Sequence, residues 1–447
     1  MLTHIVHQSP QLVIFFENLG LPLTEPQKRH LINLADGILV TEGKKTLANI
    51  QRQFVEAPDP SNMADFLRIS PWPTEEVRRR LQRFMVKRAL EIAEAKGDPR
   101  IILVAVDDSI AEKDKQTSRL EAVDWHYDHL EGRKGKPRYK KGMAFIVVHV
   151  LIGSVPLVFD IPIYLREKTV RRLNRGRPKE KRLRFRSKYR LVRQVLEELK
   201  PLLPKGWKVY VLCDRWYTSR RLINYTRRQG WHLLGTIKAN RKLDGVRVDQ
   251  RERALRHRRY RRVAVTAADG SKGTYLVREL QGKLYRVPQR VRVWVSRKHH
   301  RDKRPVYLMG TDLALEVKKA FQWYGARWWD EIDNYYLKEL LGLGDFRVQS
   351  YEATARWVLA VLLAWNYILW RKAEEELTAL GEYQTIATEE APRVRRLSPA
   401  DIIRQHREEH AVAWLEAACR MAIQLGEVEP VLSHFLRLSR FPSRIPP

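Results

Sequence analysis

Three aspartates follow apolar stretches that are typical of buried β-strands. Asp107 and Asp108 come directly after the run Arg100–Val106, and Asp214 comes after a run that ends in Val-Tyr-Val-Leu-Cys. A carboxylate at the end of a buried strand is costly to remove from water unless a cation neutralises it. Two such positions on neighbouring strands predict a shared metal ion, and oxygen ligands favour Mg²⁺ or Mn²⁺ over zinc. The alternative for each aspartate alone is a turn residue or a helix cap.

A second polar group falls in the stretch Phe321–Leu341, which the sequence predicts to be one helix. At about 100° per residue, four of its side chains lie within an arc of about 60°. These four are Tyr324, Arg327, Glu331 and Lys338. Asp330 and Asp333 point elsewhere on the same wheel. A carboxylate flanked by such groups can bind a metal ion and contact an adjacent phosphate. The alternative is a plain i,i+4 salt bridge between Arg327 and Glu331.

The spacing Tyr324-x2-Arg327-x3-Glu331-x6-Lys338 resembles the Y-R-E-K signature of bacterial insertion-sequence transposases of the Asp-Asp-Glu (DDE) class. The chain continues to resemble the family past the signature, in DEIDNYYLKELLGLGDFRVQSYEATARW. Upstream, VAVDDS and VLCDRWYTS resemble the segments that hold the first and second catalytic aspartates. The N-terminal segments TLANIQRQF and ADFLRISPW resemble the helical DNA-binding region of the family. The resemblance covers residues 20–375.

The resemblance implies roles for individual residues. The catalytic acids and metal ligands that it implies are Asp107, Asp214 and Glu331. The residues that it implies contact DNA phosphates are Tyr324, Arg327 and Lys338. The family pattern Asp-x-Thr/Ser fits Asp107-Asp108-Ser109, which favours Asp107 as the first acid and leaves Asp108 as the alternative. Relatives often stack a tryptophan on a DNA base, and Trp294 is a candidate; a core position is the alternative for a tryptophan on a strand.

The order of elements predicts an α/β fold with helical N- and C-terminal regions, and the resemblance implies that its catalytic core is ribonuclease H-like with an inserted β-rich region. The predicted domains are a helical DNA-binding domain (1–95), the first part of the core (96–237), the inserted β region (238–313), the helical part of the core with the catalytic glutamate (314–375) and a C-terminal helical region (376–447). Within the first domain, Glu25–Val40 and Thr46–Phe54 fit either a helix-turn-helix or a plain helical bundle.

The chain is strongly basic, with 84 Lys and Arg against 52 Asp and Glu and a formal net charge of +32. Such an excess attracts polyanions, and it favours nucleic acid over acidic membrane lipid. Two arginine-rich stretches, Arg171–Arg186 and Arg251–Arg262, are candidates for phosphate contact or for solvated loops. The two cysteines lack the spacing of a zinc finger. The apolar stretches Leu12–Phe16 and Val358–Leu369 are shorter than the ~20 residues that span a bilayer.

We therefore expect a cut-and-paste DNA transposase that uses two Mg²⁺ ions, with Mn²⁺ as a substitute. Its expected partner is double-stranded DNA, both as the terminal inverted repeats and as the target. We expect a homodimer in the DNA complex, a location in the bacterial cytoplasm and no association with a membrane. Two alternatives remain at this point. One is a domesticated protein that binds DNA without cutting it, and the other is a structure-specific nuclease of the same fold that cuts but does not join.

Overall fold

The computed structural model describes residues 5–56, 59–128, 131–132, 135–255, 257, 259–266, 272–302, 304–385, 397–428 and 431. At 60, 328–331 and 382–385 it describes the backbone alone. The chain divides into two compact units. The helical unit comprises Met1–Arg88, Ala111–Met143 and Tyr335–Pro447. The sheet unit comprises Ala89–Ile110 and Ala144–Asn334.

The helices and strands have the following bounds. The α-helices are α1 (Pro10–Asn18), α2 (Glu25–Val40), α3 (Leu47–Gln51), α4 (Pro60–Arg68), α5 (Thr74–Ala95), α6 (Glu167–Asn174), α7 (Lys188–Leu199), α8 (Arg220–Arg228), α9 (Val248–Ala254), α10 (Val317–Gly325), α11 (Trp328–Tyr335), α12 (Tyr351–Thr385) and α13 (Pro399–Leu425). The strands are β1 (Ile101–Glu112), β2 (Asp124–Tyr127), β3 (Tyr139–Ile152), β4 (Val155–Asp160), β5 (Ile163–Tyr164), β6 (Lys208–Cys213), β7 (His232–Thr236), β8 (Lys242–Leu243), β9 (Val246–Arg247), β10 (Arg261–Thr266), β11 (Lys272–Lys283), β12 (Arg290–Arg297) and β13 (Val306–Gly310). Short 3-10 helices span Lys179–Lys181 and Lys200–Leu202, and a π-helical turn spans Tyr336–Leu340.

Helix α2 is a buried element of the helical unit. It begins with a capping box between Thr24 and Gln27, which satisfies free N–H groups of the first turn. Every residue from 34 to 40 is buried. Gly37 allows α3 to approach closely, because a Cβ at this position would lie 2.3 Å from Cγ2 of Ile50. In a helix-turn-helix the recognition helix would be the second one, α3, which has five residues.

Helix α12 is a 35-residue apolar helix of the helical unit. The apolar stretch Val358–Leu369 is only its middle part, so the length taken from the sequence is too short. Within the described residues, Tyr351–Gly381 is the one helical segment long and apolar enough to cross a membrane, with a mean hydropathy of 1.3 in its most apolar window. That window is 89% buried inside the protein, where α12 packs against α2, α4 and α13. These contacts make α12 a core helix of its unit.

The main sheet has the strand order β10-β11-β12-β13-β7-β6-β1-β3-β2, with β4 and β5 also paired to β3. Strands β1, β6 and β7 are parallel, and β4 is antiparallel to β3. The N–H of Gly153, just after β3, donates to the carbonyl of Ile101 at the start of β1 (3.0 Å), so β1 and β3 are antiparallel. The order β4-β3-β1-β6-β7, three antiparallel strands followed by two parallel ones, is the ribonuclease H-like topology. The predicted fold class is confirmed.

Strands β10 to β13 continue this sheet. β13 pairs antiparallel with β7, and β10 to β13 pair antiparallel with their neighbours. An alternating pattern of apolar residues predicts four strands here, at Arg261–Thr266, Gly273–Glu279, Arg290–Ser296 and Pro305–Gly310, and the observed bounds agree to within four residues. Their core side chains Val263, Val277 and Leu308 share one apolar cluster with Leu103 of β1 and Leu212 of β6. The β-rich region is therefore an extension of the core sheet, built on the same hydrophobic core.

Candidate active site

Asp107 and Asp214 lie side by side where β1 and β6 leave the core. In the parallel pair β1–β6, Val106 is in register with Cys213, and these residues directly precede the two aspartates. The next pair in register therefore brings Asp107 and Asp214 to the same face of the sheet. The run of fully buried residues in β1 ends at Val106, as the sequence predicts, although the strand itself continues to Glu112. Both aspartates are half-buried.

Asp107 forms an ion pair with Arg327, whose Nη1 lies 2.9 Å from its Oδ2. The pKa of Asp107 is raised to about 6, mainly by burial and to a smaller extent by the nearby carboxylates of Asp108 and Asp214. Arg327 and the backbone N–H of Asp108 act in the opposite direction. Desolvation dominates, so the environment disfavours the charged carboxylate unless more positive charge is added. A divalent cation at this edge would supply that charge.

Asp108 has different surroundings from its neighbour. Lys188 Nζ, at the start of α7, donates to Asp108 Oδ2. The hydroxyl of Tyr217 is buried close to the same carboxylate, and burial followed by the charge of Asp108 raises the pKa of Tyr217 well above its ordinary value. Adjacent side chains of a strand point to opposite faces. These contacts favour Asp107 over Asp108 as the partner of Asp214.

Asp214 begins the turn that connects β6 to α8. Its Oδ1 accepts hydrogen bonds from the N–H groups of Trp216 (2.8 Å) and Tyr217 (3.0 Å). The hydroxyl of Thr218 donates to the backbone carbonyl of Asp214 (2.7 Å). The turn therefore fixes the carboxylate through one oxygen, while Oδ2 makes no hydrogen bond to the described residues. Asp214 is therefore a turn residue that still has one carboxylate oxygen available for a cation. The two interpretations of this residue from the sequence, a turn residue and a metal ligand, are compatible.

An aromatic stack lies beside this turn. The ring of Trp216 stacks on the ring of Tyr189, with 4.4 Å between centroids and 9° between planes. The hydroxyl of Tyr189 donates to the carbonyl of Trp216 (2.6 Å). Lys188 lies 5.7 Å from the Trp216 centroid. The stack joins the start of α7 to the turn after β6, and it holds Lys188 near Asp108.

The stretch Phe321–Leu341 is not the single helix that the sequence predicts. Helix α10 ends at Gly325, α11 begins at Trp328, and the backbone of Tyr336–Leu340 is π-helical. A glycine is a weak helix former, and a π turn has more residues per turn than an α-helix. A constant 100° per residue therefore does not hold across the stretch, so the single-helix prediction is wrong and the common face of the four side chains stays a prediction. The residues concerned are Tyr324, Arg327, Glu331 and Lys338.

The break after α10 nevertheless positions two of these residues at the strand edge. Arg327 lies in the turn and pairs with Asp107. Tyr324 is in the last turn of α10, and its hydroxyl lies 3.3 Å from Oγ1 of Thr236 on β7. The guanidinium of Arg327 is 5.9 Å from the centroid of the Tyr324 ring. The structure therefore brings Tyr324 and Arg327 to the two aspartates.

The other two signature residues lie in α11 and in the π-helical turn. Glu331 lies in α11, but its side chain, like that of Asp330, is outside the described residues. Lys338 lies in the π-helical turn, which belongs to the helical unit. The roles of Glu331 and Lys338 stay predictions.

Comparison with known proteins places the chain in a family. Residues 15–281, more than half of the chain, match the DDE superfamily endonucleases. The chain belongs to this family. No curated protein matches it significantly. Among solved structures it is similar to a piggyBac transposase in a synaptic complex with hairpin DNA, seen by cryo-EM, with 13% identity, a TM-score of 0.43, and coverage of 97% of this chain and 82% of that one.

The match to the DDE endonucleases includes the two neighbouring strands of the site. Asp107, Asp108 and Asp214 all lie within residues 15–281, whereas Glu331 lies beyond them. Membership of the family implies the use of a divalent metal. The available donors fit that implication, because Asp107 and Asp214 offer carboxylate oxygens, the ligands that Mg²⁺ and Mn²⁺ prefer.

Trp294 lies in the core. Its exposure is 0%, and it packs in the apolar cluster of the sheet unit with Leu234 and Leu308. Gly310 on the neighbouring strand leaves space for its ring, since a Cβ there would lie 3.0 Å from Cζ3 of Trp294. A fully buried ring has no face on which a DNA base can stack. The base-stacking prediction for Trp294 is therefore corrected to a core role.

Several residues of the DDE endonuclease site were not singled out from the sequence. They are Lys188, Tyr189, Trp216 and Tyr217. The aromatic pair two and three residues after Asp214 and the lysine that follows the N-cap Ser187 were visible signals, but their meeting depends on the packing of α7 against the turn. Asp333 was expected only to point away from the signature face. It is buried, and its Oδ2 forms a hydrogen bond with Nδ1 of the buried His149 on β3.

Proposed function

We propose that this DDE endonuclease is a transposase that cuts the ends of an insertion sequence and joins the free 3′ ends to target DNA. The observation that carries the proposal is the parallel pair β1–β6, which brings Asp107 beside Asp214. Burial disfavours the charged form of Asp107, and Arg327 offsets this effect only in part. A further cation would therefore stabilise the ionised carboxylate. The Y-R-E-K spacing supplies the resemblance to insertion-sequence transposases.

The proposed metal ligands are Asp107, Asp214 and Glu331, and the proposed ions are two Mg²⁺, for which Mn²⁺ can substitute. Bound there, the ions would supply activation of the attacking water and stabilisation of the leaving 3′ oxygen. Asp214 is held in place by the turn hydrogen bonds to its Oδ1. Arg327 stands at the same carboxylate edge and would stabilise charge on the transferring phosphate. Tyr324 and Lys338 are proposed to contact neighbouring phosphates.

A basic groove of about 950 Å³ in the sheet unit supports DNA as the substrate. Its arginines are Arg186, Arg190, Arg193, Arg220, Arg221, Arg228 and Arg286. Glu197 is the only acidic residue among the described residues that line it, and it pairs with Arg193 (2.8 Å). Cations at this density repel one another unless anions lie between them. A duplex backbone supplies anions at regular spacing, and we propose that a homodimer binds the two element ends through this surface.

The two arginine-rich stretches differ in the structure. In Arg171–Arg186, the arginines are mostly exposed, and Arg171 pairs with Glu167 (2.6 Å). In Arg251–Arg262, Arg251 and Arg253 pair with Asp244 and Asp249. Part of the charge in the second stretch is therefore already neutralised, and we propose the first stretch as the stronger phosphate contact.

The test is cleavage and joining of a labelled duplex that carries the inverted repeats flanking the gene. Wild-type protein should cut the end only with Mg²⁺ or Mn²⁺ and should join the 3′-OH to a second duplex. Glu331→Ala should lose cleavage by at least ~100-fold while still binding the end, because a metal ligand is removed. Asp330→Ala is the matched control and should remain active.

Each alternative predicts a different result in the same assay. A domesticated binding protein would bind the ends without cleaving them under any divalent ion. A structure-specific nuclease would cut but leave the 3′ end unjoined. An active and folded Glu331→Ala would contradict the assignment of the third acid.

A further inference from the structure

A buried cluster of one aspartate and two histidines lies in the helical unit, apart from the DDE residues. Asp36 is on α2, and His406 and His410 are on α13. Four residues along an α-helix make about one turn, so the two imidazoles share one face of α13. All three side chains are buried, with exposures of 0%, 0% and 2%. The site is outside the arrangement that the proposed function uses.

The three groups converge on one point. Nε2 of His406 and Nε2 of His410 each lie 2.8 Å from the same oxygen, Oδ1 of Asp36. The three ligand atoms all lie within 4.8 Å of one another. The other oxygen, Oδ2, accepts a hydrogen bond from the N–H of Ser9 (3.1 Å). Two ring nitrogens and a carboxylate oxygen therefore face a common centre in a region without solvent.

The carboxylate of Asp36 is fully buried, with an exposure of 0%. A buried carboxylate is costly to remove from water unless strong donors or a cation lie beside it. The two imidazoles lie beside it in this structure, and a cation bound among the three groups would satisfy the same requirement.

We propose that Asp36, His406 and His410 bind a Zn²⁺ ion that holds α13 against α2. Imidazole nitrogen together with one carboxylate oxygen is a donor set that zinc accepts, whereas Mg²⁺ prefers sites made of oxygen alone. A fourth ligand completes a tetrahedral zinc site. Ser9, next to the cluster, is buried, and its hydroxyl has no hydrogen-bond partner among the described residues. This oxygen can bind the ion or a water on it.

The surrounding groups also suit a metal site. Oη of Tyr367 lies 3.2 Å from Nδ1 of His406. When Nε2 binds a metal, Nδ1 carries the proton and needs an acceptor, which is the role of a second ligand shell. Tetrahedral bonds of the usual length place ligand atoms about 3.3 Å apart, so each imidazole needs to move outward by roughly half an ångström.

The ion would join parts of the chain that are far apart in sequence. His406 is 370 residues from Asp36, and His410 is 374. A cross-link between such distant segments removes much conformational freedom from the unfolded chain, and a metal that binds only the folded state adds its binding energy to stability. We therefore expect zinc to stabilise the docking of α13 on the helical unit.

The experiment uses the full-length chain. Metal-stripped protein is incubated with Zn²⁺, dialysed and measured by mass spectrometry for bound metal. We expect one Zn²⁺ per chain at this site and a rise of about 3 °C in the midpoint of thermal unfolding when free Zn²⁺ exceeds Kd by about 100-fold. In the double variant Asp107→Ala/Asp214→Ala, Mg²⁺ should not produce the shift. Failure of the wild-type chain to retain Zn²⁺, or retention of Fe²⁺ in preference to it, overturns the proposal.

Matched variants locate the ion. His410→Gln and Asp36→Asn keep polar side chains of similar size and should lose both the bound Zn²⁺ and the thermal shift. His30→Gln, on α2 outside the cluster, should keep both. The double variant Asp107→Ala/Asp214→Ala should also keep both, which separates this site from the one proposed for catalysis. Zinc that stays in folded His410→Gln and Asp36→Asn, or that leaves with the two DDE aspartates, overturns the proposal whatever the outcome for transposition.

Discussion

Nη1 of Arg327 lies 2.9 Å from Oδ2 of Asp107, a residue 220 positions earlier in the chain. The arginine of the Y-R-E-K spacing therefore contacts the first aspartate directly, in addition to any contact with a phosphate. Its positive charge opposes the effect of burial on the pKa of Asp107. A divalent ion would bind the same carboxylate, so Arg327 and the metal share one electrostatic role.

Replacement of Arg327 should separate these roles. In Arg327→Ala the carboxylates lose a neutralising cation, so Mg²⁺ affinity should stay the same or increase, while cleavage of the element end should fall by about 100-fold because charge on the phosphate is less stabilised. Isothermal titration with Mg²⁺ and a single-turnover cleavage assay measure the two effects. Arg327→Lys keeps the charge and should retain more cleavage than the alanine variant. A large loss of Mg²⁺ affinity in Arg327→Ala would contradict this view of the ion pair.

The two adjacent aspartates should differ in their importance for cleavage. Asp107→Ala removes the carboxylate that lies in register with Asp214 and should abolish cleavage while end binding persists. Asp108→Ala leaves that pair intact and removes the partner of Lys188, so the loss should be smaller. Both variants are compared in one end-cleavage assay, with circular dichroism to confirm folding. The opposite order of activities would make Asp108 the first acid.

The buried pair His149–Asp333 should contribute to stability. Asp333→Ala leaves a buried imidazole without its carboxylate, and breaking such a pair typically costs about 3 kcal/mol in the free energy of unfolding. Asp333→Asn keeps a hydrogen-bond acceptor and should cost less. Urea denaturation of both variants measures the difference. Under conditions where Asp333→Ala is folded, cleavage should persist, and a folded but inactive Asp333→Ala would indicate a role in catalysis.

Lys45 should make stability depend on pH in the alkaline range. Burial lowers the pKa of Lys45 to about 8, and its ammonium donates to the carbonyl of Thr41. Above pH 8 the folded chain has lost this proton, whereas the unfolded chain keeps it up to its ordinary pKa of 10.5. The contribution of Lys45 to the free energy of unfolding should therefore rise by roughly 3 kcal/mol between pH 8 and pH 10.5. Lys45→Met should lack that rise. Chemical denaturation of the wild-type chain and of Lys45→Met at several pH values gives the contribution of Lys45 as the difference between them.

DNA affinity should fall steeply with salt. Each phosphate contact contributes roughly −0.9 to the slope of log affinity against log salt concentration. Arg186→Ala and Arg190→Ala, both exposed in the basic groove, should each make the slope less negative by up to that amount. Arg420→Ala, an exposed arginine on α13, is the control and should leave the slope unchanged. A slope near zero for the wild-type chain would contradict electrostatic binding through the groove.

The local hydrophobic pattern alone was sufficient to predict the strands that position the two aspartates and those of the β-rich region. The buried run before Asp107 and the buried run before Asp214 became neighbouring parallel strands, because fully apolar strands need cover on both faces and pack in the centre of a sheet. The alternating pattern of β10 to β13 was also interpreted correctly, because successive side chains of a strand point to opposite faces. These features depend on residues close together in sequence.

Other features depended on contacts between distant residues, which no local pattern contains. A tryptophan on a strand gives the same sequence pattern whether it faces a core or a ligand. Only the packing of Trp294 against β13 placed it in the core. The spacing His406-x3-His410 was visible, but its partner Asp36 comes from the other end of the chain. The pairing of Arg327 with Asp107 required the helix to break after Gly325, whereas a wheel assumes constant geometry. Tertiary packing decided these cases because its energy exceeds the small local preference for any one backbone or side-chain arrangement.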